Sequence, residues 1–198
     1  MIKRIIFSGL VILGVFVFTT AACFAFTLLT QEQALNEVFW SGAETEVETK
    51  TLSGATLEEV KKRLGGSLVY HQAGSESAAV AAERRVDFHF AKKDGKRVGV
   101  AIIDVEPGKW GPVTFITSMT LDAVVKNVRV MSYQEIRGRP IARLGFMNQY
   151  RGKSSRAFLE VGKDITGISG ATISSRAATF AVKKAIVLYE EVYLKKAG

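Results

Sequence analysis

From Ile5 to Leu29 the chain carries no charged side chain and is mostly Ile, Leu, Val, Phe and Ala. At about 1.5 Å of helical rise per residue, this stretch is long enough to cross a bilayer. It constrains the fold before any other feature does, because an apolar run of this length separates from a water-facing domain. Lys3 and Arg4 precede it, which favours a cytoplasmic N-terminus and an extracytoplasmic remainder. A cleaved signal peptide is the competing reading, with Thr20-Ala21-Ala22 before Cys23 as a processing site. The apolar core is long for a signal, so an uncleaved single-pass anchor is expected. In either reading the working domain lies outside the cytoplasm.

The chain has 198 residues, leaving about 165 after the anchor, enough for one domain with a real core. Cys23 is the single cysteine, which excludes an intrachain disulfide, a Cys-x-x-Cys-His haem site and cysteine-ligated iron–sulfur clusters. His71 and His89 are the only histidines and have no neighbouring ligand pattern, so no metal site is expected. Redox chemistry in such a chain needs an organic cofactor. The net charge is +8, or +6 with Lys3 and Arg4 set aside, and Lys and Arg are scattered among acids. That pattern suits solubility, apposition to an anionic membrane or an acidic redox partner, and no nucleic-acid partner is expected.

Beyond the anchor, Gln31 to Trp40 reads as an amphipathic helix with Ala34, Leu35, Val38 and Phe39 on one side. Ser41 to Ser53 reads as a polar loop with one strand, Leu57 to Leu64 as a short helix closed by Gly65-Gly66, and Ser67 to His71 as a strand. Arg85 to Lys92 alternates, and Asp94-Gly95 turns it into a second strand from Arg97 to Val105. Val113 to Thr120 and Ala123 to Val130 form another pair, followed by a helical stretch from Ile141 to Tyr150. From Ile173 to Lys196 apolar residues recur at helical spacing. Strands followed by helices give an α+β class: a twisted antiparallel sheet packed by helices, behind the N-terminal transmembrane helix.

The stretch from Asp164 to Ser175, Asp-Ile-Thr-Gly-Ile-Ser-Gly-Ala-Thr-Ile-Ser-Ser, opens that last helix. Free N–H groups and the positive end of the helix dipole make such a mouth an anion site. Gly167 and Gly170 allow a sharp turn and close approach, and Thr172 offers an alcohol. A capped polar loop is the alternative reading. Ser53-Gly54-Ala55-Thr56 repeats the tetrapeptide, but Leu57-Glu58-Glu59 follows it. That context fits a capping box with Thr56 as N-cap and Glu59 at N3.

Ser169-Gly170-Ala171-Thr172, with Ser174 and Ser175 after it, resembles the flavinylation motif of the FMN-binding domain family. That family includes the G subunit of Rnf-type electron transport complexes and the C subunit of sodium-pumping NADH:quinone oxidoreductase. The resemblance is strongest from Val98 to Tyr189, and Ala34 to Phe39 is similar to the segment that follows the anchor in that family. Thr166 stands where the family usually carries Asp, three residues before Ser169, and the nearest acid is Asp164. Gln134 to Pro140 departs from the family's mid-domain Glu-Thr-Pro-Gly-Leu-Gly.

The resemblance implies FMN joined to Thr172 as a phosphoester, placed there from FAD by a separate flavin transferase. It implies a cofactor site of Ser169, Gly170, Ala171, Thr172, Ser174 and Ser175, with Arg176 and Lys163 near enough to screen charge. Trp110, Tyr133, Phe146 and Met147 are either walls of a flavin slot or ordinary packing. No nucleophile–base pair for substrate chemistry is evident. The expected organisation is an anchor over 1–30, a juxtamembrane helical segment over 31–66 and an FMN-binding domain over 67–198. The expected function is electron transfer on the extracytoplasmic (periplasmic) side of the cytoplasmic membrane, with membrane redox subunits or electron-transfer proteins as partners. A flavin-dependent reductase of a small molecule and a flavin-less anchored scaffold are the alternatives.

Overall fold

Alternating Val86, Phe88 and Phe90 form β3 (Arg85–Lys93), with these side chains turned into one core. Asp94 and Gly95 take φ of +52° and +73°, the conformation a two-residue hairpin needs, and lead into β4 (Lys96–Pro107). β5 (Pro112–Met119) and β6 (Val125–Tyr133) follow as a second hairpin. β2 (Glu44–Thr51) pairs with β3, and the short β1 (Phe26–Thr27) pairs with β6. The result is a six-stranded sheet in the order β1-β6-β5-β4-β3-β2, antiparallel at every pairing.

The computed structural model describes residues 26–71, 84–109, 111–133 and 141–195. The body of the proposed anchor, the stretch from Gly74 to Ala82, Trp110 and the segment from Gln134 to Pro140 lie outside the described residues. Among the described residues no helix is long and apolar enough to cross a membrane. The α+β class and the antiparallel sheet are as expected.

The helices among the described residues cover the two faces unequally. α1 (Gln31–Val38) lies against β5 and β6 and buries Ala34 and Val38 on Ala101, Ile116 and Met131. A capping box starts it: Gln33 N–H donates to Thr30 Oγ1, and Thr30 N–H donates to Gln33 Oε1. The opposite face carries the main core under α2 (Gly54–Arg63), α3 (Leu144–Met147) and α4 (Thr172–Tyr189). Residues 31–66 thus contribute α1, β2 and α2 to the same sheet-and-helix body as the later strands.

Several local expectations need correction. α2 begins at Gly54 with Ser53 as its N-cap, so Thr56, inside the first turn, is not its cap. Leu52 and Leu57, the N′ and N4 positions of this earlier start, are both buried in the main core, and that packing sets the helix entry. Gly65 and Gly66 close α2 with N–H donors to Lys62 and Lys61 carbonyls. Ser67 to His71 is not a strand, because Tyr70 N–H donates to the Glu106 carboxylate and Val69 N–H to Ser67 Oγ. Ile141 to Tyr150 holds only the single-turn α3 and a 3₁₀ turn at Asn148–Tyr150. The last helix passes into a π-helical turn at Glu190–Leu194, where Arg63 of α2 pairs with Glu190 and Glu191.

Candidate functional site

The segment before α4 is held by three side chains, each fastening a different part. Asp164 closes the first loop. Its carboxylate accepts from Glu160 N–H at 2.9 Å and Leu159 N–H at 3.2 Å, and pairs with Lys153 at 3.1 Å. Partial burial pushes this carboxyl up, but the Glu160 N–H, the Lys153 ammonium and the Leu159 N–H outweigh it and hold it below its ordinary range. Gln149 holds the middle. Its Oε1 accepts from Thr166 N–H at 2.8 Å, and its Nε2 donates to the Thr166 carbonyl at 3.1 Å. Ser175 holds the end. Its hydroxyl accepts from Ile168 N–H at 3.1 Å and donates to the Ala171 carbonyl at 2.9 Å.

Two glycines are required by this path. A Cβ on Gly167 would lie 2.8 Å from Val161 Cγ1, closer than packing tolerates. Gly170 has φ +76°, a conformation that side chains disfavour, and it delivers the chain into the helix. Ala171 occupies the N-cap and has no side-chain oxygen to offer, so this helix start lacks a side-chain cap. Thr172 is the first residue of the 18-residue α4 and is exposed at its mouth.

The expected site residues therefore divide into two groups. Ser169, Gly170 and Thr172 are exposed around the helix mouth, with Ala171 half-buried among them. Ser174 and Ser175 are buried, at 2% and 0% exposure, on the inner side of the first turn. Ser175 shapes the loop through its hydroxyl. Lys163 pairs with Glu160 at 2.7 Å, and Arg176 lies beside the Tyr70 phenol. Tyr133, Phe146 and Met147 are core residues. Gln149 and Lys153 were not visible as site residues in the sequence, because their partners are 17 and 11 residues away with no periodic link.

A cleft of about 240 Å³ runs along α4 past Arg176, Phe180 and Lys183, with Tyr70 on its other wall. The Tyr70 and Phe180 rings sit 5.8 Å apart. A larger cleft, about 420 Å³, opens between the start of β3 and the end of β4 and is lined by His89, Asp104 and Lys184, but by none of residues 166–176. Burial holds the His89 imidazole below its ordinary range, against the opposing pull of Asp87. Among the described residues no group of three or more His, Cys, Asp or Glu side chains is placed to hold a metal.

Comparison with known proteins places this geometry in context. Residues 108–187 match the FMN-binding domain family, a span that includes β5, β6, α3 and the whole loop up to most of α4. The G subunit of an ion-translocating oxidoreductase complex from Aliivibrio fischeri (strain MJ11) is 30% identical over 124 residues, covering 57% of this chain. The chain spans 59% of that relative's length. The G subunit of the Na(+)-translocating ferredoxin:NAD(+) oxidoreductase complex from Acetobacterium woodii is 26% identical over 194 residues, covering 91% of each chain. The resemblance read from residues 169–175 is to the family that the comparison finds.

Proposed function

We propose that this protein is a membrane-anchored flavoprotein that carries electrons through FMN attached to Thr172, as a subunit or accessory of a membrane redox chain. The observation that carries the reading is the Thr172 hydroxyl at the first position of a long helix without a side-chain cap, inside the span that matches the FMN-binding domain family. The residues present fit a phosphate ester there. First-turn N–H groups and the helix dipole favour an anion, and no acidic side chain occupies the first turn of α4. Bound FMN supplies one- and two-electron redox chemistry; the protein supplies attachment, orientation and electrostatics.

Attachment is a phosphoryl transfer. The Thr172 oxygen forms a bond to the FMN phosphorus of FAD, the pyrophosphate bond breaks, AMP leaves, and the hydroxyl proton passes to the transferase or solvent. Gly170 and Ala171 present the hydroxyl, and Ser169 lies on the approach to it. Ser174 and Ser175 support the turn from beneath. In this reading residues 1–30 anchor the chain, residues 31–66 lay α1, β2 and α2 onto the sheet, and residues 67–198 carry the flavin on the periplasmic side. The names of the two relatives support partners within a membrane redox complex.

Co-expression with a flavin transferase in an exporting host tests attachment. Flavin fluorescence that stays with the denatured chain on a gel supports it. A colourless denatured chain, with the transferase active on another acceptor, refutes covalent attachment.

A further inference from the structure

We infer that Gln149 is the positioning residue that presents Thr172 for flavin attachment, acting as a two-point clamp on the loop. The inference rests on the attachment reading above and adds the device that sets the acceptor's place. Gln149 sits on the 3₁₀ turn Asn148–Tyr150, a rigid seat: Met147 and Tyr150 on either side are buried, and the Tyr150 hydroxyl is 2.9 Å from Thr179 Oγ1 of α4. From that seat the Gln149 amide takes both backbone groups of Thr166, N–H at 2.8 Å and C=O at 3.1 Å. This is the pairing a neighbouring strand would make, supplied by one side chain.

The clamp matters because of what lies beyond it. Ile168 N–H is fixed by Ser175 Oγ, so the loop is pinned at Thr166 and again at Ile168. Only Ser169, Gly170 and Ala171 separate the second pin from Thr172. With the first pin removed, the exposed Thr166 and Gly167 are tied only at buried Ile165 and at Ile168, and the approach to the helix mouth loses one of its fixings. A phosphoryl acceptor misplaced by about 1 Å reacts up to about 100-fold more slowly. Only a primary amide serves both groups. A carboxylate accepts from the N–H but repels the carbonyl, and a thioether serves neither.

The test uses the full-length chain with purified transferase and FAD, comparing wild type, Gln149→Glu, Gln149→Met and Tyr150→Phe. Flavin incorporation is followed by intact mass as a function of acceptor concentration, with the unfolding midpoint and amide exchange measured in parallel. The expected result is a fall in kcat of about 10-fold or more for both Gln149 variants, with KM within about threefold. Thr166 N–H exchange should accelerate in Gln149→Met, which offers no acceptor, while Ile168 N–H stays protected. Tyr150→Phe removes the bond to Thr179 Oγ1 but keeps the ring packing and both Gln149–Thr166 bonds, and it should lose less than either Gln149 variant. Wild-type kcat in the Gln149 variants overturns the inference. So does a loss shared equally by Tyr150→Phe, which would make the turn merely structural. If wild type itself takes up no FMN, the attachment reading falls and this inference with it; unchanged Thr166 exchange in Gln149→Met overturns the clamp independently of any flavin.

Discussion

Glu106→Gln should remove the pH dependence that one buried carboxyl imposes on stability. Glu106 is 0% exposed on the core-facing side of β4. One carboxyl oxygen accepts from Tyr70 N–H at 2.7 Å, and the other meets the Lys184 ammonium at 3.0 Å, which also pairs with Asp104 at 2.7 Å. Burial first, then the neighbouring Asp104 charge, pushes Glu106 from its ordinary 4.5 up to about 8, against the pull of Lys184. Between those values the folded chain holds a proton that the unfolded chain has released. The native state therefore binds more protons, and stability is fully present below pH 4.5 and lost as pH rises through 8. One pKa unit corresponds to about 1.4 kcal/mol, so this site's contribution falls by up to about 5 kcal/mol across the window. The glutamine amide cannot titrate, yet it can accept from Tyr70 N–H and donate to Asp104 Oδ2, which has no partner among the described residues. Urea unfolding at about pH 5, 6, 7, 8 and 9 should show the variant gaining on wild type by as much as about 1.4 kcal/mol per pH unit up to about pH 8. Titrating groups other than the adjoining Asp104 and Lys184 are common to both chains and cancel. Parallel curves would refute the assignment of a buried, protonated Glu106.

Gly167→Ala should cost about 1–3 kcal/mol through the collision with Val161, and adding Val161→Ala should recover most of it; an additive double mutant in denaturant unfolding would contradict that contact. Asp164→Ala strands the Leu159 and Glu160 N–H groups and should cost about 1–2 kcal/mol at about pH 7. Because the folded Asp164 pKa is lowered, its contribution is present above the unfolded value and fades as pH falls, so the deficit should shrink as pH drops below the ordinary 3.8; a deficit constant with pH would point to packing alone.

The strands were legible because their signals are local. Val86, Phe88 and Phe90 alternate within one segment, and Asp94-Gly95 is a turn whose two positive φ angles suit those residues. The start of α4 was legible for the same reason, since Gly167, Gly170 and Thr172 are closely spaced punctuation. What the sequence hid is long-range. Nothing near Tyr70 announces that Glu106, 36 residues on, would take its N–H and turn an apparent strand into a tether. Nothing beside Lys184 announces that it lies buried against Asp104, 80 residues earlier. The resemblance implies Ser175 in the cofactor site, but its hydroxyl closes the loop behind the helix mouth. Gln149 has no motif at all; its role exists only where the 3₁₀ turn meets Thr166.

The central claim is that Thr172 carries FMN, and intact mass tests it most directly. The full chain, co-expressed with a flavin transferase in an exporting host, should gain the mass of one FMN phosphoester in wild type and none in Thr172→Ala. An unmodified wild type beside a transferase active on another acceptor would contradict the account, and so would a Thr172→Ala chain that still gains the mass.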